Sequence, residues 1–240
     1  KNSLLEIPAP NGSLPHDIKN VPHGMVEYIH YYSQSLKGTN NAVIYLPPSY
    51  YKKGNEQKKY PVFYLISGTT DTEEVYYKVG RVNYILDNLL AEGKAEEMIV
   101  VLPYGNPYKL LPTPPTGMFG APGSRFGSDV FSLDLNNNLM PYIESHYRTI
   151  NDANHRAIGG FSRGGNQALF NGLSHLDKFA YLCSYSSFTS TDIPEVYDNA
   201  TDTNSKIRLF WLGVGTDDFL YGNARVYMEF LDKHGIRSVK

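Results

Sequence analysis

Hydrophobic and polar positions alternate along VEYIHYYS and along NAVIYLPPSY, the period of strands with one buried face; Pro47 and Pro48 stop the second. The pattern then changes. KKYPVFYLISG and MIVVLPYGN are short continuous apolar runs, which predicts strands covered on both faces. Between them RVNYILDNLLAEGKA spaces its apolar residues as a helix does, with Gly93 near its end. Further along, the pattern predicts helix in DLNNNLMPYIESHYR, strand in RAIGGF, helix in GNQALFNGLSHL, strands in FAYLCSYSS and IRLFWLGVG, and helix in NARVYMEFLDKHG. Strands alternate with helices from about residue 60 onward. The expected fold class is therefore α/β, a mostly parallel sheet with helices on both faces and antiparallel N-terminal strands.

One segment interrupts the alternation. Residues 104–126, YGNPYKLLPTPPTGMFGAPGSRF, are rich in proline and glycine and leave the carboxyl end of a predicted strand, where open α/β sheets bind ligands. A rim or lid over a site is expected there, with Tyr104 and Phe119 as candidates for an aryl-binding wall. Phe188, after a later strand, is a third. Trp211 and Cys183 lie inside apolar strands and are expected in the core.

The chemistry centres on Gly160-Phe161-Ser162-Arg163-Gly164, a G-x-S-x-G pattern with an apolar strand before it and an amphipathic helix after it. On such a sharp strand-to-helix turn the positions two before and two after the serine cannot carry side chains, and glycine stands at both. Ser162 is the candidate nucleophile. The backbone N–H of Arg163, at a helix N-terminus, is a candidate oxyanion donor. A second donor is expected from LISGTTDTEE, where Gly68 permits a tight turn and the N–H of Thr69 or Thr70 would face the site.

The acid of a serine triad should follow a later strand, and GTDDFL offers Asp217 and Asp218, one of which is expected to cap the next helix. The base is the difficulty. His234 is the only histidine after Asp218 and reads as the end of a helix capped by Gly235; His155 precedes the nucleophile strand at the end away from Ser162. His146 and His175 belong to helices, and His16, His23 and His30 precede the whole sheet.

Composition narrows the function classes. The 240 residues, 41% of them hydrophobic, suit one large domain over 1–240. A net charge of −2 with no run of like charge argues against nucleic acid and anionic membranes, and no stretch approaches the roughly 18 apolar residues of a spanning helix. A neutral substrate is expected. No His/Cys/Asp cluster has metal-ligand spacing, so neither metal nor cofactor is implied. The 20 tyrosines suggest rings facing a sugar or an aryl group.

VPHGMVEYIHYYS, AVIYLPPSY, YPVFYLISG, RVNYILDNLLAEGK, MPYIESHY, HRAIGGFSRGGNQALFNGLSHLDKFAY and GTDDFL, in this order, closely resemble the feruloyl esterases of carbohydrate esterase family 1, the esterase-D-like branch of the α/β-hydrolases. The resemblance implies an α/β-hydrolase fold and a secreted serine esterase that hydrolyses hydroxycinnamate esters on feruloylated xylan or xylo-oligosaccharide, with attachment to other cell-wall-degrading modules left open. It implies Ser162 as nucleophile, Asp218 as acid, and Thr69 with Arg163 as oxyanion donors. An acetyl-xylan esterase, an esterase-D-type thioester hydrolase and a catalytically silent carbohydrate-binding domain are the alternatives. Two positions depart from the family pattern: Ser67-Gly68 stands where His-Gly is usual, and Arg163 where Met is usual. The family also carries its histidine after one more strand, so by resemblance both that strand and the catalytic histidine are expected beyond Lys240.

Overall fold

The computed structural model describes Leu5 and residues 14–107, 130–187, 189 and 193–240. Phe119 and Phe188 lie outside them. Seven strands, β1 (Met25–Ser33), β2 (Gly38–Leu46), β3 (Val62–Ile66), β4 (Ile99–Pro103), β5 (Arg156–Phe161), β6 (Tyr181–Tyr185) and β7 (Leu209–Gly213), form one sheet in the order β1-β2-β4-β3-β5-β6-β7. β1 pairs antiparallel with β2 and β2 with β4; the pairings β4-β3, β3-β5, β5-β6 and β6-β7 are parallel. The antiparallel N-terminal strands and the parallel remainder are those the alternating and continuous apolar runs predict.

The continuous runs are explained by two buried faces. Val62, Tyr64, Ile66, Ile99 and Val101 enter a large cluster with Ala168, Leu169 and Leu173 of α5 (Arg163–Ser174) and Tyr227 and Leu231 of α8 (Tyr221–Lys233). Leu65, Val100 and Leu102 point the other way. There Tyr76 and Tyr77 of α1 (Val75–Lys78) and Val82 and Leu86 of α2 (Val82–Ala91) pack against them. α1, like α6 (Pro194–Asp198) and α7 (Ala200–Lys206), is too short for hydrophobic periodicity to reveal.

Three expectations need correction. The helix expected over 134–148 begins earlier: α3 (Val130–Asp134), a π-helical segment (Leu135–Leu139) and α4 (Met140–His146) follow one another directly. Pro141 supplies the reason for the π turn, since its ring would collide with the carbonyl four residues back and it has no N–H to donate. Trp211 is half-buried, not core; its ring meets Tyr185 at a centroid distance of 5.0 Å. Cys183 is half-buried too, with its thiol pushed up by desolvation. These side chains share the face whose helical cover, α1 and α2, packs over β2, β3 and β4, so every second residue of β6 and β7 stays partly open.

α3 is tied to the antiparallel strands by a buried carboxylate. Asp134 Oδ2 accepts from the Tyr31 hydroxyl at 2.6 Å and from Asn40 Nδ2 at 2.8 Å. Burial and the nearby carboxylate push the Tyr31 phenol upward, so it stays protonated and donating. Tyr31→Phe removes one of the two donors and should cost about 2 kcal/mol in urea denaturation.

Candidate functional site

The loops after β3, β4, β5, β6 and β7 leave the carboxyl edge of the parallel strands together, because their registers align Ile66 with Gly160, Phe161 with Tyr185 and Tyr185 with Gly213. Ser162 sits at the centre of this edge, between β5 and α5. Its N–H donates to Tyr185 O at 2.9 Å, and its own carbonyl accepts from Asn166 N at 3.1 Å, the first helical bond. Between those anchors its backbone is held at φ 56°, ψ −119°, a conformation that costs a non-glycine residue about 1–3 kcal/mol.

The flanking glycines are required by contact. A Cβ at 160 would stand 2.7 Å from Ile66 O, one at 164 would stand 2.5 Å from Ser67 O, and one at 165 would stand 2.5 Å from Ser187 Cβ. No heavier residue fits any of the three. The first turn of α5 is thereby pressed onto the end of β3, bringing residue 163 beside the loop that carries Thr69.

That loop closes on itself. Gly68 N donates to Asp71 Oδ2 at 3.0 Å, Asp71 N returns a bond to Gly68 O at 3.3 Å, and the Tyr76 hydroxyl donates to Ile66 O at 3.2 Å. Thr69 is half-buried and Thr70 exposed. Arg163 is buried, and desolvation lowers its guanidinium to about 10. Its Nη1 donates to Asn106 Oδ1 at 3.1 Å, while Asn106 Nδ2 donates to Thr69 O at 3.0 Å. One turn along α5, Gln167 Nε2 donates to Gly105 O at 2.9 Å. Tyr104, half-buried on the same loop, has its phenol raised by burial.

Asp218 lies after β7 in a turn that leads into α8. Its Oδ1 accepts from Leu220 N at 2.8 Å, so it is Asp218 and not the exposed Asp217 that closes this turn. Among the described residues its second carboxylate oxygen keeps no such bond.

The histidines are employed elsewhere. His23 Nδ1 pairs with Asp87 at 2.9 Å, His30 with Asn41 at 2.7 Å and His155 with Asp152 at 2.8 Å. His146 and His234 each bond the carbonyl four residues before them, at 2.8 Å, and His175 closes the end of α5. None of these bonds reaches Ser162 or Asp218. Beyond α8 the chain comes back to the sheet: Val239 bridges Trp211 in parallel, with Leu212 N donating to Val239 O and Val239 N to Phe210 O. Among the described residues no three His, Cys, Asp or Glu side chains gather as a metal site.

Sequence reasoning placed Ser162, Arg163, Thr69 and Thr70 at one edge, and the structure brings that edge together. It missed Asn106, Gln167, Asp71 and Tyr76. Spacing could have found Gln167, one helical turn from Arg163 on the same face of α5; nothing local marks Asn106.

The sequence profile of the family described as "Putative esterase" matches residues 33–228. The endo-1,4-beta-xylanase/feruloyl esterase of Xylanibacter ruminicola is 33% identical over 183 residues, which cover 75% of this chain and 24% of that protein. The chain thus spans about a quarter of the length of this relative. A solved ferulic acid esterase superposes with a TM-score of 0.74 at 27% identity, over 92% of this chain and 89% of the other. A ferulic acid esterase from Anaeromyces mucronatus, solved in complex with ferulic acid, gives 0.76 at 24% identity over 92% and 83%, a likeness of fold.

Two substitutions probe the elbow directly. Glycine inside a helix or strand ordinarily costs roughly 0.5–1 kcal/mol relative to alanine, but Ser162→Gly should lose nothing and gain up to about 1 kcal/mol in thermal unfolding, because it releases the positive φ. Gly164→Ala, by contrast, forces a methyl group into the backbone of β3 and should cost on the order of 3 kcal/mol in the same measurement.

Proposed function

The chain belongs to the "Putative esterase" family and is of the serine carboxylic ester hydrolase class, and we propose that it cleaves hydroxycinnamate esters, feruloyl esters above all, from arabinoxylan. The observation that carries this is Ser162, held at φ 56° between β5 and α5 with glycines on both sides. The feruloyl esterase relatives support the choice of acyl group.

In the proposed reaction Ser162 Oγ attacks the ester carbonyl as an imidazole takes its proton, and the oxyanion forms against the N–H groups of Arg163 and Thr69. The protonated imidazole then gives that proton to the leaving sugar hydroxyl. Water, activated by the same base, hydrolyses the feruloyl-serine to ferulate. Asp218 would orient the imidazole through the carboxylate oxygen that Leu220 N leaves open. Since none of the histidine bonds described above reaches Ser162 or Asp218, the base is proposed to come from chain that would continue the alignment Val239 begins along β7. Thr70, Tyr104, Phe119 and Phe188 are proposed to line the acyl site. Feruloylated xylan or xylo-oligosaccharide would be met outside the cell, by this domain alone or joined to other cell-wall-degrading modules.

In the full natural polypeptide, Ser162→Ala should lower kcat/KM on methyl ferulate by about a thousandfold or more. The unaltered protein should hydrolyse methyl ferulate faster than an acetylated xylo-oligosaccharide. The reverse preference would move the assignment to an acetyl-xylan esterase, and xylan binding with no turnover of either would leave a silent binding domain.

A further inference from the structure

We propose that Asn106 is a positioning residue for the oxyanion site, its single amide locking the loop after β3 to the first turn of α5; this rests on Ser162 being the nucleophile. Asn106 is 5% exposed and sits in the loop stem after β4, on neither segment that supplies an oxyanion donor. Its two ends serve different partners: Nδ2 donates to Thr69 O at 3.0 Å, and Oδ1 accepts from Arg163 Nη1 at 3.1 Å. A carbonyl only accepts and a guanidinium only donates, so the amide has one orientation that satisfies both.

The geometry matters because of what each bond fixes. Holding the Thr69 carbonyl fixes the peptide plane that it shares with the Thr70 N–H, and through the Thr69 backbone it restrains the Thr69 N–H of the peptide before. Holding the Arg163 side chain secures the residue whose N–H opens α5. The two donors come from separate loops with no covalent connection nearby, and an oxyanion is stabilised only when both stand at about 3 Å from it. The stem of Asn106 is itself fastened to α5 by Gln167, whose amide donates to Gly105 O at 2.9 Å.

Side chains other than asparagine break the arrangement in separable ways. Alanine at 106 removes both bonds. Aspartate, of the same shape, keeps an acceptor for Arg163 but turns a second oxygen toward the Thr69 carbonyl. Arg163→Met spares the Thr69 bond and removes the other.

The test uses the full natural polypeptide with methyl ferulate as substrate, ferulate as a ground-state ligand, and an arylboronic acid that becomes a tetrahedral anion on serine. Asn106→Ala and Asn106→Asp should each lower kcat by about 10- to 100-fold, with KM and ferulate affinity within about threefold of the parent. Boronate affinity should fall in step with kcat, because only the tetrahedral species uses the donors. Combining Asn106→Ala with Arg163→Met should cost less than the product of the single effects. Unchanged kcat in both Asn106 variants overturns the proposal, as does a parallel fall in ferulate and boronate affinity, which would mean a collapsed site. Turnover that survives Ser162→Ala overturns the nucleophile assignment instead, whatever Asn106 does.

Discussion

The backbone of α5 touches the end of β3 without side chains between them, and most of the molecule is arranged around that contact. Ser67 O lies 2.5 Å from where a Cβ at 164 would begin, and Ile66 O lies 2.7 Å from where one at 160 would begin. With the helix so close, the chain has no room to pass from β5 to α5 in an ordinary conformation, and the strain falls on Ser162. The side chain at that corner is lifted clear of sheet and helix, half-exposed while its neighbours on α5 are buried. Dense packing beneath it makes the distortion persist.

Above this contact the structure turns from apolar to polar without becoming open. Arg163, Asn106, Gln167 and Ser67 are all at most 5% exposed, and they lie next to the large cluster that includes Ile66 and Leu169. Buried polar groups are tolerated where they are hydrogen-bonded, and here Asn106 joins the Arg163 side chain to the Thr69 carbonyl while Gln167 holds the Gly105 carbonyl. The result is a cluster of amides and one guanidinium where the loops after β3 and β4 meet the start of α5. The Arg163 guanidinium, buried at 3% exposure, places a cation within this cluster.

The sequence disclosed those parts of this arrangement whose physical causes are local. Gly160, Ser162 and Gly164 report a steric demand between residues four apart, and the apolar runs of β3 and β4 report burial on two faces of each strand. Asn106 could not be read in this way, because its partners stand 37 and 57 positions away. Trp211 was misplaced for a related reason. Its strand is apolar, but whether a helix covers that half of the sheet depends on where α1 and α2 land. Position after β7 left Asp217 and Asp218 as equal candidates and only the family resemblance pointed to Asp218; the bond to Leu220 that distinguishes the two depends on the turn the chain makes.

The parallel pairing of β3 with β5 joins residues 62–66 to residues 156–160, two stretches far apart in the chain. Besides the local approach of Gly160 to Gly164, the close contacts that shape the serine corner are made to Ile66 and Ser67 at the end of β3 and to Ser184 and Ser187 at and after β6. Bringing such distant segments together carries a large loop-closure entropy before any contact rewards it, so topologies of this kind fold slowly. The strand-turn-helix unit of residues 156–174, taken alone, has no carbonyls of Ile66 and Ser67 to press against and nothing to hold its serine at positive φ. The elbow is thus a property of the assembled sheet, and a chain in which β3 has not yet paired with β5 lacks the contacts that shape it.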